Sequence, residues 1–268
     1  MNSTQETQLN SGQGLLHDTL ASYSAIVVVA NSEAAELTEL RRALPQNTLF
    51  IFFNEASRVL AEPFDGSAVL VARSGVRGPA VVRKGKMDKI LARFAPGALD
   101  RVVDLRVAEI ETFVPAEGFK FPAVEFLDLV AHFSALYPGG KTPSSGYAMA
   151  AWIASLGLDC DLVLCGFTAR RSDKWKVFDV HDWAFEQVAL RLFERKGLAR
   201  FHPPAQLRPT PVEALERQFP DLQRRDILSL GYEVLSQRIE HTNLFIDRLW
   251  SLTRFSRLVR RGLQIFRR

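Results

Sequence analysis

The stretch "AIVVVA" at residues 25–30 is apolar throughout and rich in β-branched side chains, and it leaves a folding chain few options. A strand with one wetted face alternates apolar and polar residues. A strand without alternation is buried on both faces, which calls for a mostly parallel sheet with helices above and below it. "TLFIFF" at 48–53 and "SAVLVA" at 67–72 have the same character, and "EAAELTELRRAL" at 33–44 carries Ala35, Leu37, Leu40 and Leu44 at helical spacing. This β-α-β-β start predicts an α/β chain built on a Rossmann-like sheet. With 47% of its 268 residues apolar, the chain can fill such a core. No apolar run approaches the roughly 20 residues that a membrane span needs.

The polar start "MNSTQETQLNSGQG" predicts a flexible tail over residues 1–20, followed by an α/β domain over 21–200. Proline-rich "HPPAQLRPTP" at 202–211 marks the boundary to a helical C-terminal extension, residues 201–268. Within the domain, further strands are expected at "RVVDLR" (101–106) and "DLVLCGF" (161–167), and a basic loop with one short helix between residues 73 and 100. Helices are expected over 123–136, from Ser144 or Ser145 to Gly157, and from "HDWAFE" to Lys196 with Gly197 as its cap. Cys160 and Cys165 flank an apolar run and read as small core residues in a reducing compartment, since their spacing fits no zinc site.

Two stretches could carry chemistry. In "PSSG" at 143–146, Ser144 can cap a helix whose first turn holds Ser145 and Gly146. Such a start is either an ordinary cap or a place where phosphate or carboxylate meets free N–H groups close to the backbone. In "HDWAFE" at 181–186, His181 is either a polar turn residue or a general base at the ligand edge of an open sheet. Phe185, Val188, Ala189, Leu192 and Phe193 predict the buried stripe of the following helix, with Glu186 at its edge supporting the helix start. "DCD" at 159–161 resembles a cation-binding D-x-D but stands before its strand, so solvated turn aspartates are the plainer reading and no metal is assigned.

In order along the chain, "VVVANSE" (27–33), Asn54 after the second strand, "PSSG" with an apolar helix and a strand ending in Gly166-Phe167, and His181 four residues ahead of Glu186 resemble the motifs of the sialyltransferases of glycosyltransferase family 29. Departures from the family pattern point toward related bacterial CMP-Kdo transferases. Ala25 stands where the family has a cysteine, Ala30 where it has a glycine and Phe52 where an arginine is common. No histidine lies between His132 and His181, where the family has another histidine motif. The resemblance implies a sialyltransferase-like GT-A variant of the fold and an inverting, metal-independent transfer of Kdo or a related ulosonic or sialic acid from its CMP donor. No cofactor is implied. Asn31, Ser32, Asn54, Ser144, Ser145, Gly146 and Gly166 would hold the donor, and of the catalytic residues His181 would deprotonate the acceptor hydroxyl while Glu186 would support its helix. Lys174 and Lys176 in "TARRSDKWK", beside Arg170 and Arg171, are the candidates to stabilise the departing phosphate in place of the missing histidine.

Charge is divided unevenly. Seven of the 34 basic residues and none of the 30 acids fall in residues 248–268, so the +4 net charge belongs to the end of the chain and the rest is slightly acidic. Leu252, Phe255, Val259 and Phe266 share one helical side, with Arg254, Arg257, Arg261 and Arg268 on another. That is the make-up of a helix lying on an anionic membrane surface, or of one packed on the body or a partner. The acidic body and the lack of a recognition motif argue against nucleic acid. A lipid-linked glycan acceptor at the cytoplasmic face of a bacterial membrane would suit such a tail. The alternative is a membrane-docked nucleotide-binding protein without transferase activity.

Overall fold

The computed structural model describes residues 14–32, 35, 37–167, 180–202 and 211–235. The chain divides into two compact units between Ala205 and Gln206. The first is built on a seven-stranded sheet in the order β5-β4-β3-β2-β1-β6-β7, parallel at every pairing. The strands are β1 (Ala25–Val29), β2 (Thr48–Phe53), β3 (Ala68–Arg73), β4 (Leu99–Arg106), β5 (Val124–Asp128), β6 (Asp161–Cys165) and β7 (Arg200–His202). Around them lie α1 (14–21), α2 (Leu37–Ala43), α3 (Ala56–Val59), α4 (Ala80–Arg83), α5 (Met87–Leu91), α6 (Val130–Ser134), α7 (Ser145–Ser155) and α8 (Trp183–Arg195). In the second unit, α9 (Pro211–Gln218) opens on proline, which costs nothing at a first helical position, and α10 covers 224–235.

Successive residues of each central strand feed two separate cores. Ile26, Val28, Leu49, Ile51, Val69 and Val71 pack with residues of α1, α6, α7 and α8 on one face. Val27, Val29, Phe50, Phe52 and Leu70 pack with Leu40 of α2, Ala56 of α3 and Met87 and Ile90 of α5 on the other. Both faces are covered, which is why these strands are almost wholly apolar in both registers of the pleat.

Three expectations are corrected. Residues 14–20 of the supposed tail are helical, with Leu16 and Leu20 at 1% and 0% exposure, because an i, i+4 leucine pair gives α1 an apolar stripe that the sheet covers. The helix expected over 123–136 is instead strand β5 followed by the short α6. Its carboxylates decide this: Glu125 and Asp128 meet Arg101 and Arg106 of β4 in cross-strand ion pairs that a helix could not form. The segment at 73–100 holds two short helices, α4 and α5, and β4 begins two residues earlier than expected, at Leu99. Strand β7, three residues long, was not anticipated and forms only because it pairs with β6.

At the centre of β4 lies Asp104, fully buried, accepting a hydrogen bond from Ser74 Oγ at 2.6 Å. Burial pushes its carboxyl up to about 7, against the pull of hydrogen bonds from Ser74 and the Val114 N–H. Because this folded value lies above the unfolded one, the proton favours the fold, and the contribution present below about pH 4 is lost as pH rises through 7. Between pH 4 and pH 8, urea denaturation should therefore show Asp104→Asn gaining on the parent protein by about 3 kcal/mol. A stability difference independent of pH would contradict this account.

Candidate functional site

The chain leaves β1 toward β2 and proceeds to β5, then returns to the far side of β1 for β6, so the sheet changes direction between β1 and β6. At such a point, outside the carboxyl ends of the strands, open α/β sheets form a ligand crevice. Asn31 and Ser32 follow β1 here, and the Ala30 N–H ahead of them donates to Cys165 O at 2.9 Å. Gly166 follows β6 with φ +75°, and a Cβ on it would come within 3.3 Å of the Ala35 backbone. Its lack of a side chain serves the close approach of the chain after β1. Asp161 opens β6 at the opposite edge and pairs with Arg200 at 2.7 Å, in keeping with a structural "DCD". Among the described residues, no group of three or more His, Cys, Asp or Glu is placed to hold a metal ion. Neither Cys160 nor Cys165 is in a disulfide.

Helix α7 packs on β1 and β6 and brings "PSSG" to the same edge. Ser144 is its N-cap, accepting from the Tyr147 N–H at 3.2 Å. The same serine donates twice to Glu186: from its N–H at 2.7 Å and its hydroxyl at 2.6 Å. Tyr137 donates its hydroxyl to Glu186 Oε1 at 2.7 Å and accepts from the Asp182 N–H at 2.9 Å. Glu186, 2% exposed, is thus a buried carboxylate with three donors, clasping the starts of α7 and α8 together. It does not face an open site, and Ser144 has its hydroxyl committed in both directions. Burial, together with the Glu186 charge, pushes the Tyr147 hydroxyl up to about 12.

The clasp also corrects the expected face of α8. Glu186 and Leu190 lie at the centre of the buried stripe, with Phe185, Ala189 and Phe193 packed beside them, while Val188 and Leu192 are 60% and 51% exposed. Three hydrogen bonds to one carboxylate outweigh the apolar area of two side chains at the helix rim. Gly146 is corrected as well: a Cβ there would lie 3.1 Å from the Phe167 ring, so that space is filled by an aromatic side chain and not left open above the backbone. The Ser145 and Gly146 N–H groups remain without a hydrogen bond among the described residues.

His181 sits half-buried just ahead of α8, its ring edge-on to Trp183. Its Nδ1 lies 2.7 Å from Thr142 O, and the Thr142 N–H donates to Val180 O at 2.9 Å, so 142 and 180–181 are tied in both directions. A carbonyl oxygen only accepts, so Nδ1 carries the hydrogen and Nε2 of the neutral ring bears the lone pair.

Sequence reasoning missed Arg73 and Tyr137. Arg73 ends β3, pairs with Glu111 at 2.6 Å and donates to Pro143 O at 2.9 Å, while its N–H donates to Asn54 Oδ1 at 3.1 Å. Burial pulls the guanidinium down from its ordinary value, and the Glu111 carboxylate pushes it back up. It thereby links the ends of β2 and β3 to the start of α7. The only signal in the sequence was its place just past an apolar strand. His202, at the end of β7, holds its Nε2 buried without a hydrogen-bond partner. Arg170, Arg171, Lys174, Lys176 and the basic segment 248–268 lie outside the described residues.

Glu186→Ala would leave the Ser144 N–H and the Tyr137 hydroxyl without their acceptor, and should cost about 3 kcal/mol in urea denaturation. Tyr137→Phe in the Glu186→Ala background should cost less than it does alone, because the two share one hydrogen bond. Comparison of the chain with models of protein families, with curated proteins and with solved structures found no significant match.

Proposed function

We propose that the chain is an inverting, metal-independent glycosyltransferase that moves Kdo or a related ulosonic or sialic acid from its CMP donor to a lipid-linked bacterial surface glycan. The observation that carries this reading is the imidazole of His181, held by Thr142 O in the tautomer that leaves Nε2 free to take a proton. The acceptor hydroxyl attacks the anomeric carbon of the donor from the face opposite CMP. Its proton passes to Nε2, and the electrons of the breaking C–O bond leave on the CMP phosphate. Asn31 and Asn54, past the adjacent strands β1 and β2, are the residues to hold the nucleotide, with Ser32 beside them. The N–H groups of Ser145 and Gly146 open a helix eleven residues long, where developing phosphate charge is favoured. Glu186 and Ser144 act as positioning residues that keep α7 and α8 in register. Among the described residues no helix is long and apolar enough to cross a membrane, and the arginine-rich segment 248–268 is the proposed contact with the cytoplasmic membrane surface.

The test is CMP release from CMP-Kdo and from CMP-sialic acid in the presence of membrane glycolipid extract. His181→Ala should lower kcat by about 10²–10⁴-fold while CMP still stabilises the protein against heat. CMP stabilisation without turnover of either donor would point instead to a nucleotide-binding protein without transferase activity. Absence of any stabilisation by CMP would remove both readings.

A further inference from the structure

At the carboxyl ends of β2 and β3 opens a cleft of about 470 Å³ whose lining includes Asn54, Arg73, Ser74, Arg77, Gly78 and Arg83, and no acidic residue. Its three arginines are not equivalent. Arg73 is mostly buried and held by Glu111 and Pro143 O, so it forms a rigid wall. Arg77 and Arg83 are exposed and have no carboxylate partner among the described residues. An anion that both guanidinium groups reach meets two positive charges that no carboxylate among the described residues neutralises.

The backbone enforces this arrangement. Gly78 has φ +79°, and a Cβ on it would lie 2.0 Å from Val114 Cγ1, so only glycine fits. The turn closes with the Gly78 N–H donating to Gly75 O at 3.0 Å, and Thr112 fastens it from outside through its N–H and hydroxyl to Gly75 O and Val76 O. Arg83 follows within α4, its N–H bonded to Pro79 O at 3.0 Å. A tight turn and a single helical turn thus deliver Arg77 and Arg83 to the same cleft. Asn54 has its Oδ1 committed to the Arg73 N–H, which leaves the amide nitrogen as a further donor.

We propose that this cleft is a phosphate-binding site in which Arg77 and Arg83 are the ligating groups and Arg73 is the buried strut. The forked guanidinium donors of Arg77 and Arg83, neither paired with a carboxylate among the described residues, match the oxygens of a phosphate. Through Arg73 and Pro143 the cleft borders the start of α7, so the phosphate would belong either to the CMP donor or to the acceptor. That link to glycosyl transfer rests on the function proposed above; the phosphate site itself does not.

Calorimetric titration of the full chain with inorganic phosphate at constant ionic strength tests it. The Arg77→Ala/Arg83→Ala variant should bind phosphate at least about 10-fold more weakly, with an unchanged urea midpoint, since both side chains are exposed. Unchanged phosphate affinity in that variant, or no phosphate binding by the wild type, would overturn the proposal. Competition by CMP but not by cytidine assigns the site to the donor phosphate, and phosphate binding that persists in saturating CMP assigns it to the acceptor. Phosphate binding in a wild-type protein that does not bind CMP would keep the site and remove the nucleotide reading.

Discussion

A carboxylate taken out of water must find donors for its oxygens or forfeit several kcal/mol, and Glu186 meets that demand with Ser144 and Tyr137. The geometry of the whole α7–α8 edge follows from it. Because Ser144 is also the cap of α7, the depth at which Glu186 is buried sets where α7 begins. Because Tyr137 also accepts from the Asp182 N–H, it sets where α8 begins. His181, one residue earlier, is then close enough to Thr142 for its ring to be held in a single tautomer. Glu186, read from the sequence as support for the start of its helix, gives that support by clasping α7 to α8, and so sets where His181 sits.

A second set of charges ties β3, β4 and β5 to their neighbours. Arg73 joins β3, Glu111, Asn54 and Pro143, while Arg101 and Arg106 of β4 reach Glu125 and Asp128 of β5. Each ion pair spans two elements, and each arginine can donate in several directions at once, which suits it to tie loops at a strand end. Arg73 thereby holds the ends of β2 and β3 beside the start of α7, on the edge where a parallel sheet exposes its strand ends to a ligand.

How much of this was legible in advance depended on whether the signal was local. The unbroken apolar runs of β1, β2 and β3 announced a sheet covered on both faces, since no other arrangement keeps "AIVVVA" dry. The capping serine of α7 and the opening of α8 within "HDWAFE" were likewise readable from neighbouring residues. Strand β5 was not: "VEFLD" has helix-like neighbours and two acids, and becomes a strand only because two arginines of β4 lie alongside. Helix α1 was hidden by the polar residues around Leu16 and Leu20.

By itself, then, the sequence determined the α/β class, most of the strands and the positions where chemistry-bearing residues leave them, because period, capping and turn chemistry act over a few residues. Only the tertiary structure decided what those residues do. Glu186 finds its partner 42 positions away in Ser144, Arg73 reaches 70 positions to Pro143, and Phe167 fills the space that Gly146 was expected to keep open. Arg77 and Arg83, unremarkable in a basic loop, share a cleft with Asn54 only once β2 and β3 lie side by side. Such assignments depend on the burial of charge and on contacts between distant segments, and neither is written in the local pattern of the chain.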